Sequence, residues 1–338
     1  MRIKEISIYP NSTGWAVSET HKYMATILDK LGIKVKFRKF DITTKYRYLH
    51  ERYQLNISRQ LMLPVTPWQK YYLDYFHGGI YGEKEYEENI ISIEKSQKRI
   101  KGIRVIADTY SKILIDRNID PKLIHKIPLS VDTKVYFPMG ELKKINLRRR
   151  FNIPLESHLI GSFQKDGSGW GEGLNPKLIK GPDIFIKTIS ILKKDIKNLL
   201  VILTGPSRGY IKEKLKEINV KYKHFEADDI SFRAKIYNLL DGYLITSREE
   251  GGPNSFLEAM ACGIPVCTTK VGHTTDIGED GKDSFLVDSF EPKKIAEYYL
   301  KIFEIKNTQF LIKNIRKKAL LYSNGNDLKK WEKFFSEK

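Results

Sequence analysis

The sequence predicts an α/β protein of two domains, each a doubly wound parallel sheet. Three observations predict it. The chain has 338 residues, and at roughly 100–200 residues per domain that suggests two. Short apolar runs alternate with longer amphipathic ones, which is the pattern of strand–helix–strand units. One stretch, residues 138–157, interrupts the alternation with Pro138, Gly140, an LRRR run and Pro154, and reads as a linker. The expected domains are 1–150 and 151–320, with 321–338 a terminal helix that can pack back on the first.

The elements follow in order. Ile3 to Tyr9 reads as a strand, Ser18 to Leu31 as a helix stopped by Gly32, and Lys34 to Phe40 as a strand. Residues 46–76, rich in Tyr, Leu and Arg, are expected to hold one helix before the run YYLDYFHGG. A charged helix is expected over 83–101, then strand 103–107, helix 111–118 and strand 123–127. Beyond the linker a second alternation begins. Strands are expected at 159–163, 199–204, 222–225, 242–246, 265–269 and 284–287. Helices are expected at 182–192, 210–218, 230–240 and 253–262, and further helices from Pro292 close the chain.

Composition removes several classes. With 41% hydrophobic and 30% charged residues the chain can build full cores and is not disordered as a whole. Two cysteines, Cys262 and Cys267, exclude a disulfide scaffold, and no Cys/His cluster has zinc spacing. No run approaches the roughly 18 apolar residues of a membrane span. The start, MRIKEISIYP, does not read as a signal peptide. The expected location is cytoplasmic. Net charge is +18, unevenly spread: residues 1–155 hold 29 basic and 16 acidic side chains, and 156–338 hold 30 and 25. That asymmetry points to an anionic partner for the amino half.

The chemistry-bearing stretch is TSREEGGPNSFLEAMACGIPVCTTKVG, residues 246–272. A strand ends at Thr246. Gly251 and Gly252 allow a tight turn, and Pro253 suits the first position of a helix capped by Gly252. The amides of Asn254 and Ser255 then face outward at a positive helix end, which favours an anion such as a diphosphate. Glu258 lies on the same helix face, three and four positions after Ser255 and Asn254. A carboxylate so close to a phosphate should meet neutral hydroxyls. As plain structure, Glu258 is equally readable as a carboxylate favouring the helix dipole.

EEGGPNSFLEAMACGIPV resembles the signature of the family 4 glycosyltransferases (glycosyl transferases group 1), which have the GT-B fold. Glu250 and Glu258 match its two glutamates separated by seven residues, and Glu258 through Val266 match the run that follows. KIPLSVDTKVYFP (126–138), KGPDIFIKTISIL (180–192) and VGHTTDIGEDGKDSFLV (271–287) resemble further family segments in the right order. The resemblance implies two Rossmann-like domains facing across a cleft. It implies that Glu258 holds the ribose and Glu250 the sugar hydroxyls of a nucleotide sugar, and that Lys165 and Lys180 hold the diphosphate. It also implies a glycine loop with Gly14, and His77 near the reacting sugar. A Gly-rich insertion, DGSGWGEGLNP, separates the two lysines. Lys165 is also readable as a solvated loop lysine, and His77 as a packing histidine.

The implied reaction is retaining transfer from a nucleoside-diphosphate sugar to an acceptor hydroxyl, without a metal or other cofactor, in cell-surface polysaccharide or glycolipid synthesis. Asp228 and Asp229 precede a helix and read as its cap, not as a metal site. The expected partners are the nucleotide sugar and a saccharide or lipid-linked acceptor. An anionic membrane surface is a candidate partner of the basic amino half, which would make the protein peripheral at the inner membrane face. No nucleic acid is expected. The competing readings are a GT-B sugar-nucleotide epimerase and, from a different class, a basic nucleic-acid-binding or non-catalytic binding protein.

Overall fold

A computed structural model describes residues 3–8, 16–38, 41–50, 68–76, 84–169, 171–227, 229–305 and 307–336. The chain divides into two compact units. The first comprises Met1–Leu129 and Gly325–Lys338, the second Ser130–Asn324.

The first unit holds a parallel sheet of β1 (Glu5–Ile8), β2 (Lys34–Phe37), β3 (Tyr46–His50), β4 (Lys70–Tyr75), β5 (Ile100–Val105) and β6 (Ile124–Lys126), in the order β2-β1-β3-β4-β5-β6. Helices α1 (Ala16–Lys30), α2 (Lys84–Ser96) and α3 (Asp108–Asp116) are the crossovers that parallel strands require. Ile90 and Ile93 of α2 and Tyr110 and Leu114 of α3 pack with Leu73, Ile103 and Val105 in one apolar cluster. Met24, Ile27 and Leu28 of α1 pack with Ile6, Ile8 and Tyr48 in another. The last helix of the chain belongs to this second cluster. It spans Leu328–Phe335, and its Trp331, Phe334 and Phe335 are all buried against Tyr48 and Tyr72.

The second unit holds β7 (His158–Ser162), β8 (Leu199–Thr204), β9 (Lys221–Phe225), β10 (Gly242–Ile245), β11 (Val266–Thr269) and β12 (Phe285–Val287). All pair in parallel in the order β12-β11-β10-β7-β8-β9. Read from β9, this is the 3-2-1-4-5-6 order of the dinucleotide-binding fold. The sequence of β8, LLVILT, is buried at every position, as a central parallel strand covered on both faces must be. In chain order the helices are α4 (Glu141–Arg150), α5 (Pro182–Asp195), α6 (Gly209–Glu217), α7 (Ile230–Tyr237), α8 (Asn254–Ala261), α9 (Thr274–Ile277), α10 (Pro292–Glu304) and α11 (Thr308–Leu321), which makes the terminal helix α12.

One expectation is corrected. The stretch 138–157 is not a free linker, because it contains α4 and lies within the second unit. Its Arg148 is buried, donating to Leu239 O at 3.1 and 2.7 Å and to the Asp241 carboxylate at 2.7 Å. A cation that packs inward breaks the apolar period by which a helix is read. The stretch 46–76, expected to hold one helix, opens with β3, where Tyr46, Tyr48 and Leu49 are buried. Residues 51–67 lie outside those described. No helix among the described residues is long and apolar enough to cross a membrane.

Candidate functional site

In the second unit the strand order reverses between β7 and β10. Loops leaving these strands diverge to opposite faces, and the carboxyl ends of such strands are where an open α/β sheet binds ligands. The loop after β10, residues 246–253, is anchored from several directions. The amides of Arg248 and Glu249 donate to Ile179 O at 2.8 and 3.2 Å. The Arg248 guanidinium forks onto Asp183 at 2.8 and 2.7 Å and holds that carboxyl below its ordinary range. Thr269 Oγ1 donates to Ser247 O at 2.6 Å. His273, fully buried, donates its amide to Gly251 O at 3.1 Å. Gly272 beside it has φ +47°, and a Cβ there would stand 2.0 Å from Gly251 O, so the loop 271–275 braces the Gly251–Gly252 turn only with glycine at that place.

Lys180 ends a 3-10 turn, and Gly181 follows it in the left-handed conformation at φ +63°. A Cβ on Gly181 would lie 1.9 Å from Thr246 O, which is the physical reason for a Lys-Gly pair here. Thr246 Oγ1 donates to Gly181 O at 2.9 Å. The Lys180 ammonium forms an ion pair with Glu250, whose other oxygen accepts from Ser247 Oγ at 3.0 Å. Gln164 Nε2 donates to Lys180 O at 2.8 Å. Lys165, next along the chain, is half-buried. Thus the end of β7, the Lys-Gly turn and the loop after β10 are tied together.

Helix α8 begins at Asn254, with Pro253 as its cap at φ −66° and ψ 113°. The expected cap was Gly252. The extended ψ of Pro253 holds that residue outside the helix, so the start falls one residue later. Asn254 and Ser255 are the first two helical residues. In the next turn Glu258 accepts from Tyr237 Oη at 2.8 Å and lies 3.5 Å from Arg233. Burial and the charge of Glu258 push the Tyr237 phenol well above its ordinary value, so it remains a hydrogen-bond donor.

Glu250, Lys180 and Gln164 therefore meet directly, while Glu258 is held separately by α7. Gly251, Gly252, Asn254 and Ser255 form the turn and helix start between the two glutamates. Gly14 and His77 lie outside the described residues, as does Asp228. Asp229 caps α7, accepting from Phe232 N at 2.7 Å. Sequence reasoning missed Gln164, Ser247, Tyr237 and Arg233. Single polar residues at loop and helix positions carry no periodic or spacing signal, so nothing local marks them. His273 lies in a segment already noted, VGHTT, which was the available clue.

The two parallel six-stranded sheets with their helices match solved structures of the GT-B fold class. Residues 173–305 match the model of the family described as Glycosyl transferases group 1. Among curated proteins, the chain is 27% identical over 224 residues to the D-inositol 3-phosphate glycosyltransferase of Paenarthrobacter aurescens, covering 60% of this chain and 50% of that protein. It is 30% identical over 164 residues to an uncharacterized glycosyltransferase of Methanocaldococcus jannaschii, covering 46% and 42%. The matched stretch thus spans about half the length of these relatives. Among solved structures, Anabaena HepE in complex with UDP and glucose superposes with a TM-score of 0.77 at 15% identity, covering 99% of this chain and 100% of that one. WaaG, a glycosyltransferase involved in lipopolysaccharide biosynthesis, superposes with a TM-score of 0.70 at 13% identity and the same coverage.

Proposed function

We propose that this protein transfers a sugar from a nucleoside-diphosphate sugar to an acceptor hydroxyl, with retention at the anomeric carbon and without a metal. The observation that carries this reading is the direct meeting of Lys180 with Glu250 at the carboxyl ends of β7 and β10. Residues 70 positions apart supply a cation for the diphosphate beside a carboxylate for sugar hydroxyls. The start of α8 adds backbone donors at Asn254 and Ser255. Electrostatic stabilisation of a leaving diphosphate by such preset charges is commonly the largest catalytic contribution. Glu258, on its own support, is the group for ribose hydroxyls. Binding of a nucleotide sugar inserts phosphate next to Lys180, and the Lys180–Glu250 pair opens so that each partner turns to its own part of the substrate.

The curated relatives and WaaG named above are glycosyltransferases, and HepE is described with UDP and glucose, which supports a nucleotide-sugar donor. WaaG supports a place in cell-surface glycan or glycolipid synthesis, with a saccharide or lipid-linked acceptor. A peripheral site on an anionic membrane belongs to the same reading and rests on charge alone.

The test is a thermal-shift panel of UDP-, GDP-, ADP- and CMP-sugars, followed by product analysis. One sugar nucleotide should stabilise the protein and yield an α-linked product from an α-linked donor, with activity unchanged by EDTA. Glu258→Ala and Lys180→Ala should each lower turnover by at least about a hundredfold, the scale of losing one preset charge contact, while each variant still unfolds in a cooperative thermal transition. Near-wild-type turnover in either variant removes that residue from the site, and an inverted product removes the retaining mechanism.

A further inference from the structure

Between Gln164 and Lys180 the chain makes a Gly-rich excursion that closes on itself. Lys177 N–H donates to Asp166 O at 2.7 Å, Ser168 N–H donates to Asn175 O at 2.8 Å, and Gly167 pairs with Pro176 as an antiparallel bridge. With Gln164 bonded to Lys180 O, the chain segments that carry Lys165 and Lys180 are brought back together despite their separation in sequence. The neck of the excursion holds a buried ion pair. Asp166 lies 3.0 Å from Arg208, and their side chains are 1% and 0% exposed. Arg208 also donates to Ser162 O at 2.7 Å and Thr204 O at 2.8 Å, so one guanidinium ties the ends of β7 and β8 to the neck.

The excursion is clamped on the turn between β8 and α6 as well. Ser207, at φ +57°, donates its hydroxyl to Gly169 O at 3.1 Å and Gly171 O at 3.0 Å. Gly209 and Tyr210 donate their amides to Glu172 O at 2.7 Å and Gly173 O at 3.0 Å. A Cβ at Gly167 or Gly173 would stand 2.2 or 2.3 Å from Ser207 O, so glycine is required where the two loops touch.

A fully buried ion pair is a poor source of net stability, because desolvating both charges offsets their attraction. Holding one geometry is the better account of it. What sits at the neck is Lys165, between Gln164, which is bonded to Lys180 O, and Asp166, which is paired to Arg208. We propose that the Asp166–Arg208 pair and the Gly-rich excursion it anchors are a positioning device for Lys165 at the diphosphate end of the donor site. Asp166 and Arg208 act through Lys165 and do not themselves touch substrate. The proposal rests on the nucleotide-sugar reading given above.

The experiment is a double-mutant cycle on binding of UDP, GDP and ADP, measured by calorimetry on wild type, Lys165→Ala, Asp166→Asn and the double variant. Wild type should bind one nucleotide. Asp166→Asn should weaken it by about tenfold, near the value of one charge-assisted contact. In the Lys165→Ala background the same substitution should add nothing, since positioning has no effect once the positioned group is gone. Additive losses, or wild-type affinity in Asp166→Asn, would overturn the positioning role and leave the nucleotide-sugar reading standing. If wild type binds none of the three nucleotides, that reading fails and this inference with it. Ser207→Ala removes the clamp without stranding a charge. Run through the same cycle, it should show the same non-additivity at smaller size, and additivity there counts equally against the proposal should Asp166→Asn not fold.

Discussion

Tyr237 shows how much a single residue decides. Its hydroxyl, fully buried on α7, is the closest partner of Glu258, and its ring packs on Phe163 at the end of β7 with centroids 4.6 Å apart. It thereby connects the carboxylate assigned to ribose with the strand that leads to Lys165. Tyr237→Phe keeps the packing and removes one hydrogen bond to a charged acceptor, a loss of about 1.5–3 kcal/mol. Denaturant unfolding should show this loss. Nucleotide affinity should fall as well, because Glu258 then loses its 2.8 Å hydrogen bond and keeps Arg233 at 3.5 Å. An unchanged midpoint would mean that the carboxylate finds an equal partner in water. The resemblance to a family signature made Glu250 and Glu258 legible in the sequence. Tyr237 could not be found that way, because it is brought to Glu258 by the packing of α7 against α8.

Among the elements, α12 depends most on distant sequence. Its Trp331 is fully buried, stacks on Phe335 and lies under the Arg104 guanidinium, 4.6 Å from the ring centroid. Arg104 in turn donates to Ile127 O and Pro128 O at 3.0 and 3.3 Å, where the chain leaves the first unit. Trp331→Ala should destabilise the first unit by about 3–5 kcal/mol, the usual cost of emptying a large aromatic site. Thermal unfolding should show an early transition of that unit, and a shift below about 1 kcal/mol would mean that α12 is dispensable to its core. The helix α4 shows the opposite case. Its three consecutive arginines read as linker, yet Arg148 reaches Asp241 and the backbone carbonyls of Leu239, Leu155 and Ser157. Charge patterning misleads wherever a partner carboxylate waits almost a hundred residues away.

At the level of the molecule, the division at Leu129 changes the charge argument. The first unit, with its returning tail, carries 27 basic and 17 acidic residues, a net of +10, and the second carries 32 and 24, a net of +8. Much of the apparent amino-terminal excess was α4, which belongs to the second unit, where Lys144 and Arg148 are both paired to Asp241. A net of +10 is charge that the proposed anionic surface or acceptor would attract, at about 1 kcal/mol per basic residue brought near a membrane. Sedimentation should therefore find the protein with phosphatidylglycerol vesicles and not with phosphatidylcholine ones, and the binding should weaken with added salt. Equal binding to both, or to neither, leaves the charge without a membrane role.

Periodicity and glycine placement are local properties, and they suffice to specify most strands of two parallel sheets, most of the helices between them and the turn between Glu250 and Glu258, though not β3 or α4. Each residue contributes to them through its own backbone preference and the face it shares with near neighbours. The pairing of Lys180 with Glu250, the closing of the Gly-rich excursion by Asp166 and Arg208, and the return of α12 to the first core are of another kind. They join residues tens to hundreds of positions apart. Such contacts leave no period in the chain, because burial and charge pairing depend on which groups folding brings within a few ångströms of each other.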